Sequence, residues 1–526
     1  MSAEKIKSGK TYLGIEFGST RIKAVLTDDT YAPIASGAYD WENRLENGYW
    51  TYSHELIITG LQQCYADLAR DVREKFGTDL ETVGAMGISA MMHGYLAFGD
   101  DRSVPLVPFR TWRNTTTADA AAKLTELFGF NIPQRWSIAH LYQAVLNGEA
   151  HVPQIKHITT LAGHIHYLLT GNNELGAGEA AGMFPIDSDT IDYDSTMLGK
   201  FDELMKPYGY DWSIRSVLPE VRPAGAKGAF LTEEGAKLLD ISGKLRGGVP
   251  MCPPEGDAGT GMTATNSVLP RTGNVSAGTS IFSMIVLDKP LKSVHTEIDM
   301  VATPDGKPVA MVHCNNCCSE LDAWVKLFGE FAKLSGRELS KSELYTMLYR
   351  NALNADADCG GTVAYNFLSG EPVAEVEQGR PMYFRTPDGS FGLANFMRAQ
   401  LYSAMAALKM GMDILTETEQ VSVDRLMGHG GLFKVQGVAQ QFMADAVGAD
   451  VSVMTTAGEG GAWGMALLAA YMNEGEGKAL PQFLDEKVFA SMEGSTLAPD
   501  KAGAEGFRRF MENYKQGLAA QRLAAR

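Results

Sequence analysis

The strongest constraint on this chain is a strand–turn–strand unit that occurs twice, once in each half. Tyr12–Leu13–Gly14–Ile15–Glu16–Phe17 runs into Gly18–Ser19–Thr20, after which Ile22, Ala24 and Leu26 alternate with Arg21, Lys23 and Val25. Asn274–Val275–Ser276 leads into Ala277–Gly278–Thr279–Ser280, and Ile281–Phe282–Ser283–Met284–Ile285–Val286 follows. Gly18 and Gly278 stand 260 positions apart in a chain of 526 residues, close to half its length. Extended runs on either side of a Gly/hydroxyl turn predict a hairpin. One hairpin opening each half predicts two related α/β domains.

A turn of Gly, Ser and Thr lets a phosphate come close to backbone N–H groups. Two such turns predict a clamp for a polyphosphate, with Asp257 and Glu16 available as a base and a metal ligand. Asp257 stands at a Pro- and Gly-punctuated turn, followed by Ala258, Gly259, Thr260 and Gly261. That pattern predicts a helix start packed closely against a neighbour.

Charge decides which partners fit. Lys and Arg number 46 against 63 Asp and Glu, for a net charge of −17. An acidic chain without basic blocks argues against nucleic acid or an anionic membrane as the main partner. The positive charge for a phosphorylated ligand must then be local: backbone N–H groups, a few Lys or Arg, and a divalent metal. No apolar run approaches the ~18 residues of a membrane span, and MSAEKIKSGK lacks the apolar core of a secretory signal. The 6 cysteines are irregularly placed and fit a reducing cytoplasm better than a disulfide framework. Cys314, Cys317 and Cys318 form the one cluster; without a second ligand pair they read as buried thiols rather than a zinc site.

Along the chain, Leu56 to Phe76 carries apolar residues at helical spacing, and Val83 to Ser89 reads as a buried parallel strand. At the end of that strand stand Met91, Met92, His93 and Gly94, where ligands of open α/β sheets bind. Trp112, Arg113 and Asn114 have the chemistry to stack on and hydrogen-bond a polyol, or simply to pack a surface loop. In the second half, Leu321–Leu334, Ser340–Leu353 and Phe391–Leu415 read as helices. Val423 to Gly431 reads as a strand entering a glycine turn, and the helix after it (Val435–Val447) opens a seat for an anion or nucleotide. Glu459 to Ala466 opens another close-packed helix, and Phe507 to Arg526 a surface one.

The order of these motifs resembles the FGGY carbohydrate kinases, the group of xylulokinase, ribulokinase, gluconokinase and glycerol kinase. GIEFGSTRIKAVLTD is similar to the family's first phosphate motif, GISAMMHG to its sugar-contacting segment, and PPEGDAGTGM to its catalytic GGGD segment. GNVSAGTS resembles the second phosphate motif and LSGEP the SGERTP turn. GHGGLFKVQGVAQQFMADAVGADV and EGGAWGMALLAAY resemble the adenosine region and the helix after it. The resemblance covers nearly the whole chain.

It implies two ribonuclease-H-like (actin-like ATPase) α/β domains with the active site in the cleft between them, divided here as 1–254 (sugar side) and 255–526 (nucleotide side). It implies transfer of the ATP γ-phosphoryl group to a sugar hydroxyl with Mg²⁺, and Asp257 as the general base. Gly18, Ser19, Thr20, Arg21, Gly278 and Thr279 would meet phosphates, and Gly430, Gly431 and Lys434 the nucleotide. Met92 and His93 would line the sugar pocket with Trp112 and Asn114, and Glu16 would serve the metal. Family members are often dimeric, so the resemblance also raises a homodimer.

Departures gather on the substrate side. Glu16 replaces the usual Asp of the first motif, Ala258 an Asn or Gln, and Met91 a Gln; Val373 occupies or displaces the Arg of SGERTP. Ser137 to Leu146 lacks the usual Lys and Trp. The acceptor expected first is a ketopentose such as xylulose; ribulose, fuculose, gluconate or another polyol stay open. The alternative of a different class is an actin-like nucleotide-binding protein or ATPase without sugar transfer.

Overall fold

A computed structural model describes residues 3–454 and 460–524. The chain divides into two compact units. The first comprises Met1–Val268, Asp299–Val309 and Glu459–Ser491, and the second Leu269–Ile298, Ala310–Gly458 and Met492–Arg526. A division at 254/255 would give Glu255 to Val268 to the second half. In the structure they pack within the first unit, because Glu255–Gly256 extends its sheet and Asp257–Ala264 lies against the helix Gly460–Glu474.

In the first unit, the predicted hairpin is formed by Tyr12–Phe17 and Arg21–Thr27, paired antiparallel from Tyr12↔Thr27 to Phe17↔Ile22. Pro33–Asp40 adds beyond it, antiparallel. Ala85–Ala90 lies on the other side, parallel, with Glu16 opposite Ser89 and Phe17 opposite Ala90. Pro250–Met251 and Glu255–Gly256 both pair with that strand. Alternation does what it predicts: Leu13, Ile15, Phe17, Ile22, Ala24 and Leu26 are all in the core.

The helix His54–Phe76 starts at Ser53, whose hydroxyl accepts from the Leu56 N–H at 3.2 Å, and ends at Gly77 with φ 65°. It buries Ile57, Leu61, Tyr65, Leu68 and Val72, each contributing on the order of 1.5–3 kcal/mol. The helical stretch expected from Thr117 to Gly171 resolves into Ala118–Phe128, Ser137–Leu146 and Leu161–Thr170.

The second unit repeats the plan. Thr272–Ala277 and Ile281–Val286 form its hairpin, and Arg425–His429 lies parallel to Thr272–Ala277, with Ser276 opposite His429. Asp450–Met454 and Gly494–Leu497 continue the sheet. Helices Cys318–Leu334, Lys341–Ala352, Leu393–Asp413, Val438–Val447 and Lys501–Ala524 surround it, each within a few residues of its expected bounds except the last, which starts six residues earlier. Glu459 lies outside the described residues; the helix expected to open there is described from Gly460.

In both units the parallel strand beside the hairpin ends next to the hairpin turn. Ala85–Ala90 delivers Met91 to Gly94 there, and Arg425–His429 delivers Gly430 to Lys434. Loops at the carboxyl ends of strands are where α/β folds place their chemistry. Among the described residues, no helix is long and apolar enough to cross a membrane.

Candidate active site

The first turn is held by aromatic donors. Trp41 Nε1 donates to the Gly18 carbonyl at 2.7 Å, the Tyr52 hydroxyl to the Ser19 carbonyl at 2.6 Å, and Trp112 Nε1 to Ser19 Oγ at 3.2 Å. With its carbonyls and the Ser19 hydroxyl occupied on that side, the turn is fixed. The aromatic residues between Gly37 and Tyr52 thus have a purpose that the sequence did not reveal. Arg21 is exposed and its guanidinium is engaged by Asp40, opposite it on the next strand, at 2.6 Å. It stands as an outer ion pair beside the turn.

Glu16, half-buried one residue before the turn's strand ends, owes its place to a glycine. A Cβ at Gly461 would lie 2.2 Å from Glu16 Oε1 and 2.8 Å from Thr260 Oγ1. A Cβ at Gly14 would lie 2.0 Å from the Ala462 carbonyl, so strand and helix touch through bare backbone. Burial, then the like charge of Asp257, pushes the Glu16 carboxyl up to about 7.

Asp257 is the first residue of the helix Asp257–Ala264, where the partial positive charge of the helix start favours a carboxylate. Thr260 ties that first turn inward: its hydroxyl lies 3.2 Å from Ser89 Oγ and donates to the Gly256 carbonyl at 3.2 Å. The Asp257 side chain is exposed, and its Oδ1 accepts from the Met92 N–H at 3.3 Å. The protein walls around it raise its pKa above the ordinary value, while the N–H groups of Met92 and Ala258 and the charge of Arg135 act the other way.

Met92 meets Asp257 through its N–H, and His93 follows it in the chain. His93 has φ 69° and Gly94 φ 84°, two consecutive left-handed residues that turn the chain sharply after the strand. His93 Nδ1 lies 3.1 Å from the Gly182 carbonyl. A carbonyl can only accept, so Nδ1 carries the proton and Nε2 is left as an acceptor. Burial, with Arg135 nearby, lowers the His93 pKa to about 3, so the ring is neutral. Trp136 stacks against it at 6.1 Å between ring centroids.

Trp112 and Asn114 part company here. Trp112 is 37% exposed beside the first turn. Asn114 is 2% exposed and its amide is committed to backbone. It accepts from the Trp50 N–H at 2.8 Å and donates to the carbonyls of Trp50 and Thr111, each at 2.9 Å. It fixes the Arg44–Thr51 hairpin onto its loop and has no amide group left to turn to a sugar.

A second rank of acids lies behind Asp257. Glu255, buried, accepts from the N–H groups of Gly178 at 3.2 Å and Glu179 at 3.0 Å, and burial pushes its carboxyl up to about 8. Glu179 is fully buried, and its two carboxyl oxygens make no hydrogen bond among the described residues. Burial, then the charges of Glu255 and Asp257, drives its pKa well above the ordinary value. Arg135 supplies the nearby positive charge and is itself paired with Asp299. Sequence reading missed these four because they come from separated segments, with no local pattern to join them.

In the second unit, the Gly278 N–H bonds across its turn to the Ser280 carbonyl at 2.9 Å, and Thr279 is exposed. A Cβ at Gly278 would meet nothing within 4 Å, so open space lies over this backbone. Gly430 differs: its φ is 103° and a Cβ would lie 2.4 Å from the Ala277 carbonyl. Gly431 begins the short turn Gly431–Lys434 with its backbone exposed, and Lys434 is exposed at the end of that turn. Gly278, Thr279, Gly430 and Gly431 are thus brought together at one end of this unit's sheet.

Among the described residues no group of three or more His, Cys, Asp or Glu is poised for a metal ion. An Mg²⁺ held by one or two carboxylates together with phosphate oxygens needs no such group. The carboxylate oxygens of Glu16 and Asp257, whose charges repel one another, are donors of the kind such a hard cation takes.

Comparison with known proteins agrees with this architecture. Residues 11–257 match the N-terminal domain, and residues 273–473 the C-terminal domain, of the FGGY family of carbohydrate kinases. A xylulose kinase of Haemophilus influenzae is 23% identical over 527 residues, covering 97% of this chain and 99% of that protein. The crystal structure of xylulose kinase from Rhodospirillum rubrum superposes with a TM-score of 0.78 at 18% identity, covering 98% of this chain and 99% of the other. That of gluconate kinase from Lactobacillus acidophilus gives 0.76 at 17% identity, covering 97% and 99%. At such identities the solved structures speak for the fold of two actin-like ATPase domains; the family matches speak for the reaction. The chain belongs to the FGGY family of carbohydrate kinases and is an enzyme that phosphorylates a sugar.

Proposed function

We propose that this enzyme transfers the γ-phosphoryl group of ATP to a hydroxyl of a ketopentose such as xylulose, with Asp257 as the general base. The observation that carries the reading is an exposed carboxylate at a helix start bonded to the N–H of Met92, which stands one residue before the buried, neutral His93. Asp257 would accept the hydroxyl proton as that oxygen attacks the γ-phosphorus; the bond to the bridging oxygen breaks and ADP leaves. Its raised pKa brings the base nearer to neutrality, where proton transfer is better matched. His93 Nε2 would accept from a neighbouring sugar hydroxyl, setting which hydroxyl faces Asp257.

The partly exposed turns Gly18–Thr20 and Gly278–Thr279 would receive phosphate oxygens, and Gly430–Gly431 the rest of the nucleotide. When bound, Mg²⁺ would be held through Glu16 and would neutralise phosphate charge. Arg21 and Asn114 carry no role in this reading, since Asp40 and the backbone engage them. The xylulose preference is supported by the names of two relatives; a gluconate kinase among the similar structures makes an aldonate the comparison to run.

The test is ADP release measured across ketopentoses, deoxyketoses, polyols and aldonates, with Asp257→Ala as control. One ketopentose raising the rate well above the sugar-free background, and losing it in the variant, is the expected result. A response to an aldonate alone overturns the substrate, and near-normal turnover in Asp257→Ala overturns the base.

A further inference from the structure

The side chains of Cys317 and Cys318 take no part in the reaction above, yet they lie directly behind the second turn. Their sulfurs are 3.5 Å apart. Neighbouring residues in regular strands point to opposite faces. Here Cys317, with φ −143° and ψ −95° at the entrance of the helix Cys318–Leu334, turns both thiols to one side. The Cys317 N–H donates to the Thr279 carbonyl at 2.9 Å, and the Cys318 N–H to the Gly278 carbonyl at 3.0 Å. The Cys317 carbonyl accepts from Asn366 Nδ2 at 3.0 Å. Just before the pair, Asn316 Oδ1 accepts from the N–H groups of Leu368 at 2.9 Å and Ser369 at 3.0 Å. The dithiol is therefore clamped between the Gly278–Thr279 turn and the Leu368–Ser369 loop. Cys317 is buried and Cys318 partly exposed, which gives a small reagent one way in.

We propose that Cys317 and Cys318 form a vicinal dithiol modification site that small peroxides oxidise to a disulfide, and that closing this bond disturbs the Gly278–Thr279 turn and weakens ATP binding. The second clause rests on the reading of that turn as a phosphate seat. In the first step Cys318 Sγ, as thiolate, attacks one peroxide oxygen; the O–O bond breaks, the leaving hydroxide takes a proton and departs as water, and a sulfenic acid remains. Cys317 Sγ then displaces the sulfenic oxygen as a second water, and the S–S bond forms. Two thiols lose two electrons, and one hydrogen peroxide becomes two waters. The bond requires about 2.05 Å between the sulfurs, and neighbouring Cα atoms at ~3.8 Å are closer than the ~4.4–6.8 Å disulfides prefer. Closure must therefore shift the peptide between the two residues, whose N–H groups hold the turn. A disulfide under such strain is readily reduced, so the modification is reversible by thiols.

The experiment treats the full-length protein with hydrogen peroxide, and separately with phenylarsine oxide, which bridges two close thiols without oxidising them. Intact mass and peptide mapping read the site; KM for ATP reads the coupling. The expected result is loss of two hydrogens, or gain of one arsenical, mapped to Cys317 and Cys318 and absent in Cys318→Ser. KM for ATP rises about tenfold, the scale of coupling between linked sites, and returns after dithiothreitol. Cys318→Ser keeps the activity of the reduced enzyme and loses sensitivity to peroxide; Cys318→Ala is the second variant should serine perturb the helix start. No adduct on the native protein, or one mapped to Cys314 with Cys317, overturns the site. A correctly mapped disulfide with unchanged KM overturns the coupling. Gly278→Ala in the reduced enzyme tests the phosphate reading by itself, so the two failures are told apart.

Discussion

The two hairpin turns share a topology and differ in what surrounds them. Each joins two antiparallel strands and has a parallel strand ending at its side. The first is buttressed by Trp41, Tyr52 and Trp112 and has acids in its unit: Glu16 just before it, Asp257 whose charge acts on Glu16, and Glu255 and Glu179 behind Asp257. The second is held by two backbone N–H groups from Cys317 and Cys318 and adjoins glycine backbone at Gly430 and Gly431. One scaffold thus carries a proton-handling site in one copy and a bare backbone seat in the other. The strands decide where a turn stands, while the loops and helices packed around it decide its chemistry.

The sharpest way to break this comparison is to remove the base from the first region. Asp257→Asn is expected to lower kcat by about 10²–10⁴-fold, with nucleotide affinity by calorimetry unchanged. Equal losses in kcat and nucleotide affinity would mean that the two regions do not divide the work.

The second turn can be probed through its glycines, which differ from one another. Gly430→Ala forces a Cβ against the Ala277 carbonyl at φ 103° and should cost on the order of 1–3 kcal/mol in stability. Gly278→Ala meets open space, so the melting temperature should hold while KM for ATP rises several-fold. A stable Gly278→Ala enzyme with ordinary KM would remove the phosphate seat from this turn.

Titration sharpens the acidic side. With the Glu16 carboxyl pushed up to about 7, the cation-holding charge is lost as pH falls through that value, so kcat/KM should climb with pH across it. Glu16→Gln should flatten that limb and raise the Mg²⁺ requirement; a limb that survives belongs to another group. Stability runs the opposite way. The Glu255 carboxyl, at about 8 when folded, holds its proton more tightly than the unfolded chain does. Stability is full below the ordinary carboxylate range and is lost as pH rises to about 8. Glu255→Gln should make denaturant midpoints less dependent on pH through this window. The smallest effect is reserved for Trp112→Phe, which removes one hydrogen bond to Ser19 and should cost about 1 kcal/mol or less.

The sequence by itself determined what is local. Both hairpins, the helix that begins after Ser53, the strand ending at Ala90 and the helix start at Asp257 are written in short-range patterns of alternation, caps and glycine, because backbone preference and period act over a few residues. Only the tertiary structure decided which polar groups are engaged. Asn114 had the composition of a sugar ligand, yet the amide is consumed by Trp50 and Thr111. Arg21 had the charge for a phosphate, yet Asp40 lies opposite it across the strands. The acids Glu179 and Glu255, and the return of Gly460–Glu474 to the first unit, come from segments far apart along the chain. A side chain's chemistry is fixed by its type, but its charge, partners and exposure depend on what packing brings against it, and no local pattern records that.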